Sequence, residues 1–147
     1  MINLLPIRVL LLPILTFLLS SPLLADEADV VKINATTTAA ETVDSLKLLI
    51  EQRGYKIYSV LDHGDKKSLK QVISFGKTSD HGRIMWHDPA AGLELPLKIA
   101  VFEDEMGEVK VIYRKPTSLR NNYSVGDCRL LDELDGVMAD LAKTASQ

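Results

Sequence analysis

The stretch from Leu95 to Arg114 reads LPLKIAVFEDEMGEVKVIYR and predicts a β-hairpin. Its two halves, Leu95–Glu103 and Val109–Arg114, are rich in the β-branched and aromatic residues that favour strands. The mostly acidic residues between them include Gly107, which can adopt the positive φ that a tight hairpin loop requires. We therefore expect an antiparallel sheet to be built around this hairpin.

Three shorter runs of β-prone residues extend the predicted sheet: Val30–Ile33, Tyr55–Leu61 and Leu69–Phe75. Between the first two runs, Thr38 and Glu41 match a capping box, in which each side chain satisfies a free backbone N–H of the other residue. Apolar residues at helical spacing follow, and Gly54 can adopt the left-handed conformation that stops a helix. This pattern predicts a helix over Ala39–Arg53.

The rest of the chain predicts one short and one long helix. Gly76–Gly82 is expected to be a loop, and residues 84–86 are expected to form a short helix or turn that Pro89 ends. Apolar residues recur at helical spacing between Leu130 and Leu141, which predicts a closing helix. The order β-α-β-β-(short α)-β-β-α indicates a single α+β domain, in which two helices cover the apolar face of an antiparallel sheet.

The N-terminal residues have the order of features found in secretory signal peptides. Arg8 precedes an almost uninterrupted apolar run over residues 9–19, and small or helix-breaking residues lead to Ala25. The run is shorter than the ~20 residues that cross a bilayer, so cleavage after Ala25 is favoured over an uncleaved anchor. We expect a periplasmic or secreted product with no stable membrane insertion, divided into a signal peptide over 1–25, a polar leader over 26–29 and one domain over 30–147.

The composition is that of an ordinary globular domain, and it excludes some classes of partner. The chain has 147 residues, a formal net charge of −3 and 46% hydrophobic residues. Scattered charges on a mildly acidic chain argue against nucleic acid as a partner. Cys128 is the lone cysteine, so no internal disulfide can form, and we expect its side chain to be buried as a small hydrophobe.

Several short motifs occur in an order that resembles one known family. They are Gly54, Asp62-His63, Phe75-Gly76, Leu95-Pro96-Leu97-Lys98, Tyr113 and Pro116. Together they make the chain, from about Val30 to Ala145, similar to domain-of-unknown-function family 302. The resemblance implies an α+β fold of the TATA-binding-protein-like, helix-grip type that often pairs as a homodimer, and it implies no established reaction or cofactor. The chain departs from the family pattern at Lys77–Arg83, where the family usually has asparagine and proline followed by glycine and threonine.

The shared motifs lie where predicted strands end, and we expect their side chains to bind a small ligand in a hollow between the sheet and the helices. The candidate ligand-binding residues are Asp62, His63, Phe75, Gly76, Lys98 and Tyr113. Lys98 could present its cation to an anionic ligand beside Tyr113, or it could reach solvent from the face of a strand. Asp62 and His63 could serve acid–base chemistry or bind a metal, or Asp62 could cap the turn while His63 packs at the sheet edge.

These residues leave three functions open. A non-catalytic exported ligand-binding or accessory protein, with no cofactor, no metal and no catalytic residue, agrees best with the pattern. Sulfur and imidazole ligands suit copper or haem iron, so a periplasmic metal protein that uses His63, His81 or His87 with methionine is an alternative. An enzyme with His63 as its base is a third, and it requires an orienting group within hydrogen-bond reach of the imidazole ring.

Overall fold

The computed structural model describes residues 29–64 and 69–147. The predicted signal peptide and most of the predicted leader lie outside these residues. Within them, five strands and three α-helices follow the order β1 (Val30–Asn34), α1 (Ala39–Gln52), β2 (Lys56–Asp62), β3 (Lys70–Gly76), α2 (Thr78–His87), β4 (Leu97–Glu103), β5 (Val109–Arg114) and α3 (Leu130–Ala145). A first 3₁₀ helix, Pro89–Glu94, follows α2, and a second, Pro116–Asn121, follows β5. The predicted α+β class and element order are confirmed.

The strands form one antiparallel sheet in the order β1-β5-β4-β3-β2. The predicted hairpin is β4-β5, and Gly107 adopts φ +81° in its loop. One oxygen of the Asp104 carboxylate accepts hydrogen bonds from the backbone N–H groups of Met106 (3.0 Å) and Glu108 (2.9 Å), which hold the loop closed. The edge strand β2 carries a β-bulge between Ile57 and Ser59, where its register with β3 shifts.

Helices α1 and α3 pack together against one face of the sheet. The largest fully buried side chains, most of them between these two layers, are Phe75, Leu46, Ile50, Ile73, Ile84, Ile99, Leu131, Leu134, Met138, Leu141, Val101 and Val111. Burying one large apolar side chain contributes about 1.5–3 kcal/mol, so this layer is the main source of stability. Cys128 is also buried, at 3% exposure, as expected for a small hydrophobe. Among the described helices, none is both long and apolar enough to cross a membrane.

The capping box at the start of α1 is confirmed. The Glu41 N–H donates to Oγ1 of Thr38 at 3.3 Å, and the Thr38 N–H donates to a carboxylate oxygen of Glu41 at 3.0 Å. The helix ends at Gln52, one residue before the predicted bound, and Gly54 follows with φ +72°. The start and the stop of this helix therefore both come from local backbone chemistry that the sequence reveals.

Strand β4 begins at Leu97, later than the predicted start at Leu95. The Leu95–Pro96 peptide bond is cis, and Pro96 has no N–H to donate to a neighbouring strand. The proline therefore lies before the strand, in the connection from the first 3₁₀ helix.

The loop predicted at Gly76–Gly82 is wrong, because α2 begins within it and extends to His87. Asp80 lies in the first turn, where a carboxylate interacts favourably with the positive end of the helix dipole. Ile84 is 1% exposed and anchors the helix to the core. These two interactions outweigh the low helix propensity of Gly82.

The first turn of α2 lies directly against the end of β3. A β-carbon built at Gly76 would lie 2.3 Å from Nε2 of His81, which is far inside van der Waals contact. Nε2 of His81 is buried and has no hydrogen-bond partner among the described residues. A side chain at position 76 would force the imidazole to move, because the ring occupies the space that the side chain would need.

We expect Gly76→Ala to lower the free energy of unfolding by about 1–3 kcal/mol, because the added methyl group overlaps the His81 ring. The matched control is Gly82→Ala, since nothing lies within 4 Å of a β-carbon built there and alanine favours a helix. Chemical denaturation measures both variants. A loss of the same size in a His81→Ala background would contradict the assignment of the clash to His81.

Burial lowers the pKa of the His81 imidazole below its ordinary value, and the neighbouring Asp80 carboxylate opposes this only in part. The unfolded chain then binds the proton more readily, so stability is complete above about pH 6.5 and falls as the pH drops toward the folded-state pKa. We expect the free energy of unfolding to fall between about pH 7 and 5.5 in the wild type and to fall less in His81→Gln.

Urea titrations at several pH values measure this slope. Hydrogen bonds lower the pKa of the Asp62 and Asp104 carboxyls, and their contribution to stability is lost only near pH ~4 and below. They therefore do not produce the slope above about pH 5. Equal slopes in the wild type and in His81→Gln would show that the His81 proton is not its source.

Candidate functional site

The face of the sheet opposite α1 and α3 has no described α-helix packed on it, and we call it the open face. Side chains alternate between the two faces along a strand, and residues directly opposite each other on paired strands share a face. The observed register therefore sorts the outward side chains into three rows that cross all the strands.

The middle row of the open face is mainly apolar. Leu61, Val72, Ala100 and Ile112 lie opposite one another on β2, β3, β4 and β5, and Lys32 of β1 completes the row. Val72, Ala100 and Ile112 line the floor of a hollow of about 290 Å³. Such a floor favours the hydrocarbon part of a ligand.

A second row borders this hollow with positive charge. Ser74 lies opposite Lys98, and the β4-β5 register places Arg114 beside Lys98. Both cations are exposed and line the hollow. The Lys98 ammonium donates to the backbone carbonyls of Pro96 (3.0 Å) and Glu94 (3.4 Å), which orient it without neutralising it. The Arg114 guanidinium makes no hydrogen bond or ion pair within the described part of the chain.

Carboxylates of the β4-β5 loop neutralise part of the positive charge of the third row. The Lys110 ammonium lies 3.7 Å from the Asp104 carboxylate and also bonds Glu108 and Asn34. The other members of the row are His63, Lys70 and Phe102. The positive charge on this side is therefore partly cancelled. Around the hollow, Lys98, Arg114 and Lys115 outnumber the one carboxylate residue of the lining, Glu94.

The open face is positive although the whole chain is negative. Its outward strand positions hold no carboxylate within the described residues, and they hold Lys32, Lys70, Lys98, Lys110 and Arg114. The net charge of the chain is −3, so acidic residues are concentrated elsewhere. Helix α3 alone carries Asp132, Glu133, Asp135 and Asp140. A positive face of this kind attracts anions.

A second hollow, of about 230 Å³, adjoins the first at Arg114. Ser118, Asn122, Tyr123 and Glu94 contribute polar groups to its lining. The Tyr123 hydroxyl donates to the Glu94 carboxylate at 3.0 Å, and this interaction raises the pKa of Tyr123. Arg114 therefore lies between a hollow with an apolar floor and a hollow with a polar lining.

The structure brings Lys98 and Tyr113 to the lining of the open-face hollow, but it does not bring the other four predicted ligand-binding residues there. The side chains of Phe75 and Tyr113 lie between the sheet and the helices at 0% and 5% exposure, where core packing fills the space expected for a ligand. Lys98 lies on the opposite face, since the residue that follows it is the one paired with Tyr113. Gly76 is covered by the ring of His81.

Asp62 and His63 lie at the end of β2 and line neither hollow. The Asp62 carboxylate accepts hydrogen bonds from the Gly64 N–H at 2.8 Å and from the Gln71 amide at 3.3 Å, and these bonds, Gly64 first, lower the pKa of Asp62. The His63 N–H donates to the Lys70 carbonyl at 2.7 Å and continues the strand pairing. Of the two interpretations, the geometry supports a turn cap rather than a carboxylate that orients the imidazole.

The histidines lie in separate surroundings. His63 follows β2, His81 covers Gly76, and the ring of His87 packs edge-on against Trp86 with the ring centroids 5.6 Å apart. In residues 29–64 and 69–147, no group of three or more His, Cys, Asp or Glu side chains could hold a metal ion. The copper or haem alternative therefore has no such ligand cluster in that part of the chain.

The sequence analysis identifies part of the lining of the open-face hollow, namely the motif residues Leu97, Lys98, Tyr113 and Pro116. Val72, Ala100, Ile112 and Arg114 belong to no motif. The alternation of every second residue along β4 and β5 is the signal that could have placed the last three on one face with Lys98. The pairing of β4 with β3, which brings in Val72, is not readable from a single sequence.

Comparisons with known proteins agree with this fold. Residues 31–141 match the model of a family described as a domain of unknown function, DUF302. The chain is 22% identical over 107 residues to fluoride-specific ion channel FluC 1 of Brucella suis biovar 1 (strain 1330), a match that covers 68% of this chain and 42% of that protein. Fluoride-specific ion channel FluC 2 of Brucella melitensis biotype 1 matches at the same identity over 40% of its length. The chain thus spans about two fifths of the length of the curated relatives it matches.

A solved structure shares the architecture. The crystal structure of an uncharacterized conserved DUF302 protein from Bacillus stearothermophilus matches with a TM-score of 0.66 and 16% identity, over 81% of this chain and 98% of that chain. At this identity the similarity concerns the fold alone. Because the family model spans most of the chain, the chain belongs to the family of the domain of unknown function DUF302.

Proposed function

We propose that this domain is a non-catalytic binding module, whose open face holds a small anionic ligand with an apolar body. The observation that carries the proposal is the charge of the open face: its outward strand positions hold five cations and no carboxylate within the described residues, in a chain of net charge −3. An anion is the partner that such a charge distribution favours.

The 290 Å³ hollow has cations that would contact the anionic group of the ligand and apolar residues that would contact its hydrocarbon part. Lys98 and Arg114 lie side by side on β4 and β5, so one carboxylate or phosphate group can contact both cations. Arginine binds such groups through two parallel N–H donors, and lysine adds a point charge. The apolar floor of Val72, Ala100 and Ile112 then takes the hydrocarbon part.

The size of the hollow limits the ligand. At about 290 Å³ it lies at the lower end of the ~300–1,000 Å³ that small-molecule sites occupy. The adjoining polar hollow of about 230 Å³ adds room on the far side of Arg114. A ligand of roughly ten to fifteen non-hydrogen atoms, such as a medium-chain carboxylate, suits these dimensions.

An accessory role in an exported protein agrees with two further observations. The apolar run over residues 9–19 with small residues before Ala25 is typical of a cleaved signal, which would leave the domain periplasmic or secreted. The matched relatives are named as fluoride-specific ion channels, and this chain corresponds to only a part of them. A match to only part of a larger protein is what we expect of a binding module that can be combined with other domains. Because the relatives are named for fluoride, we include fluoride among the anions to test.

We expect octanoate to bind the full chain and octanamide, its neutral counterpart, to bind at least about tenfold more weakly, because the amide cannot pair with Lys98 and Arg114. Isothermal calorimetry with octanoate, octanamide, phenyl phosphate and fluoride measures this. Arg114→Gln and Lys98→Gln should each weaken octanoate binding by about tenfold, the amount that one charged hydrogen bond contributes. Lys143→Gln, an exposed cation on α3, is the matched control and should have no effect.

Binding of none of the four probes would overturn this proposal. Equal weakening by Lys143→Gln would overturn it as well, because the effect would then be one of net charge alone. Native mass spectrometry of the same samples separates a third outcome: a dimer that Arg114→Gln dissociates would make the open face a homodimer interface instead of a ligand site.

A further inference from the structure

Two residues of opposite charge lie on the boundary between the two hollows. Glu94 and Arg114 line both the hollow of about 290 Å³ and the hollow of about 230 Å³, and both residues are exposed. Among the described residues, no ion pair joins their side chains. The boundary therefore presents a carboxylate and a guanidinium that can contact the same ligand.

The Glu94 carboxylate is held at one of its two oxygens. The Tyr123 hydroxyl donates to Oε1 of Glu94 at 3.0 Å, and no other donor of the described residues bonds this carboxylate. No cation of those residues forms an ion pair with it. A carboxylate has two acceptor oxygens, so Oε2 of Glu94 remains available to a cationic donor of a ligand.

The cations of the same lining lie close to this carboxylate along the chain and in space. The Lys98 ammonium donates to the backbone carbonyl of Glu94 at 3.4 Å, so it lies beside the segment that carries the carboxylate. Arg114 lies next to Lys98 on the neighbouring strand. One small volume therefore offers two cations for an anionic group and one carboxylate for a cationic group.

Glu94 opposes the binding of a simple anion. A carboxylate ligand that contacts Lys98 and Arg114 shares its hollow with the Glu94 carboxylate, and like charges repel each other. A ligand with an ammonium group next to its anionic group replaces this repulsion by an attraction. The charges of the lining therefore favour a ligand that carries both signs over one that carries a negative charge alone.

We infer that the ligand of the open face is an α-amino acid with an apolar side chain. This inference rests on the ligand proposal above and names the class of ligand. The α-carboxylate contacts Arg114 and Lys98, and the α-ammonium contacts Glu94. The apolar side chain of the amino acid lies on the apolar floor of the 290 Å³ hollow.

The α position of the ammonium fits the boundary better than a distant position. A single carbon joins the ammonium and the carboxylate of an α-amino acid, so the residues that bind these groups must be neighbours. Glu94 and Arg114 meet this condition because both line the same two hollows. An ammonium at the far end of an alkyl chain would instead lie on the apolar floor, where an unpaired charge is unfavourable.

Two isomeric amino acids test this arrangement by isothermal calorimetry on the full chain. L-2-Aminooctanoate carries its ammonium next to the carboxylate, and 8-aminooctanoate carries it at the far end of the alkyl chain. We expect L-2-aminooctanoate to bind about fivefold more tightly than octanoate, the factor that an exposed ion pair supplies at the upper end of its usual range. 8-Aminooctanoate should bind more weakly than octanoate, because its ammonium would lie on the apolar floor.

Glu94→Gln removes the charge and keeps an oxygen that can accept from the Tyr123 hydroxyl. In this variant octanoate should bind more tightly than to the wild type and L-2-aminooctanoate more weakly, so that their affinities agree within about twofold. Glu51→Gln is the matched control, because Glu51 is an exposed carboxylate on α1, which packs on the other face of the sheet. This control should keep the fivefold preference for L-2-aminooctanoate.

The outcomes separate this inference from the ligand proposal. If octanoate binds and L-2-aminooctanoate binds no more tightly, this inference fails and the ligand proposal stands. If none of the probes binds, both fail. Equal binding of the two isomers would also overturn the inference, as would a preference for L-2-aminooctanoate that Glu94→Gln retains or that Glu51→Gln removes.

Discussion

Packing of α1 and α3 against one face of the sheet is the constraint on which the other features depend. It fills the space between the layers with apolar side chains, among them Phe75 at 0% exposure and Tyr113 at 5%. A ligand there would have to displace the core that stabilises the domain, at a cost of several kcal/mol (~2–5 for each large side chain lost). A ligand would therefore have to bind on the open face or at the connections between the strands and helices.

Much of the fold could be predicted because it follows from local chemistry. The capping box of Thr38 and Glu41 and the hairpin loop at Gly107 are each decided by a few neighbouring residues. The short helix or turn expected over residues 84–86 lies within α2, but the start of this helix at Thr78 could not be predicted, because its position depends on the burial of Ile84 in the core rather than on its own propensity. The ring of His81 explains why the Phe75-Gly76 motif has a glycine, because the ring lies where a side chain at position 76 would be. This contact also forms only in the folded chain, so the sequence does not reveal it.

The candidate site was harder to predict than the fold, because a shift of one residue moves a side chain to the other face of a sheet. Tyr113 is paired with Ile99, so Lys98 faces away from Tyr113 and joins Arg114 instead. The sequence identifies Lys98 as a candidate cation, but its partners depend on register. The net charge of −3 also conceals the positive face, because a sum over the chain says nothing about how charges divide between the two sides.

The bulge between Ile57 and Ser59 has a consequence for how copies of the domain meet. Strand β2 is at the edge of the sheet and exposes Tyr58, Val60 and Leu61, which together resemble a template for amyloid-like stacking. The extra residue interrupts the even spacing of the unpaired backbone groups, so an incoming strand cannot form a continuous ladder. The irregularity thus disfavours the addition of a strand from another copy of the domain at this edge.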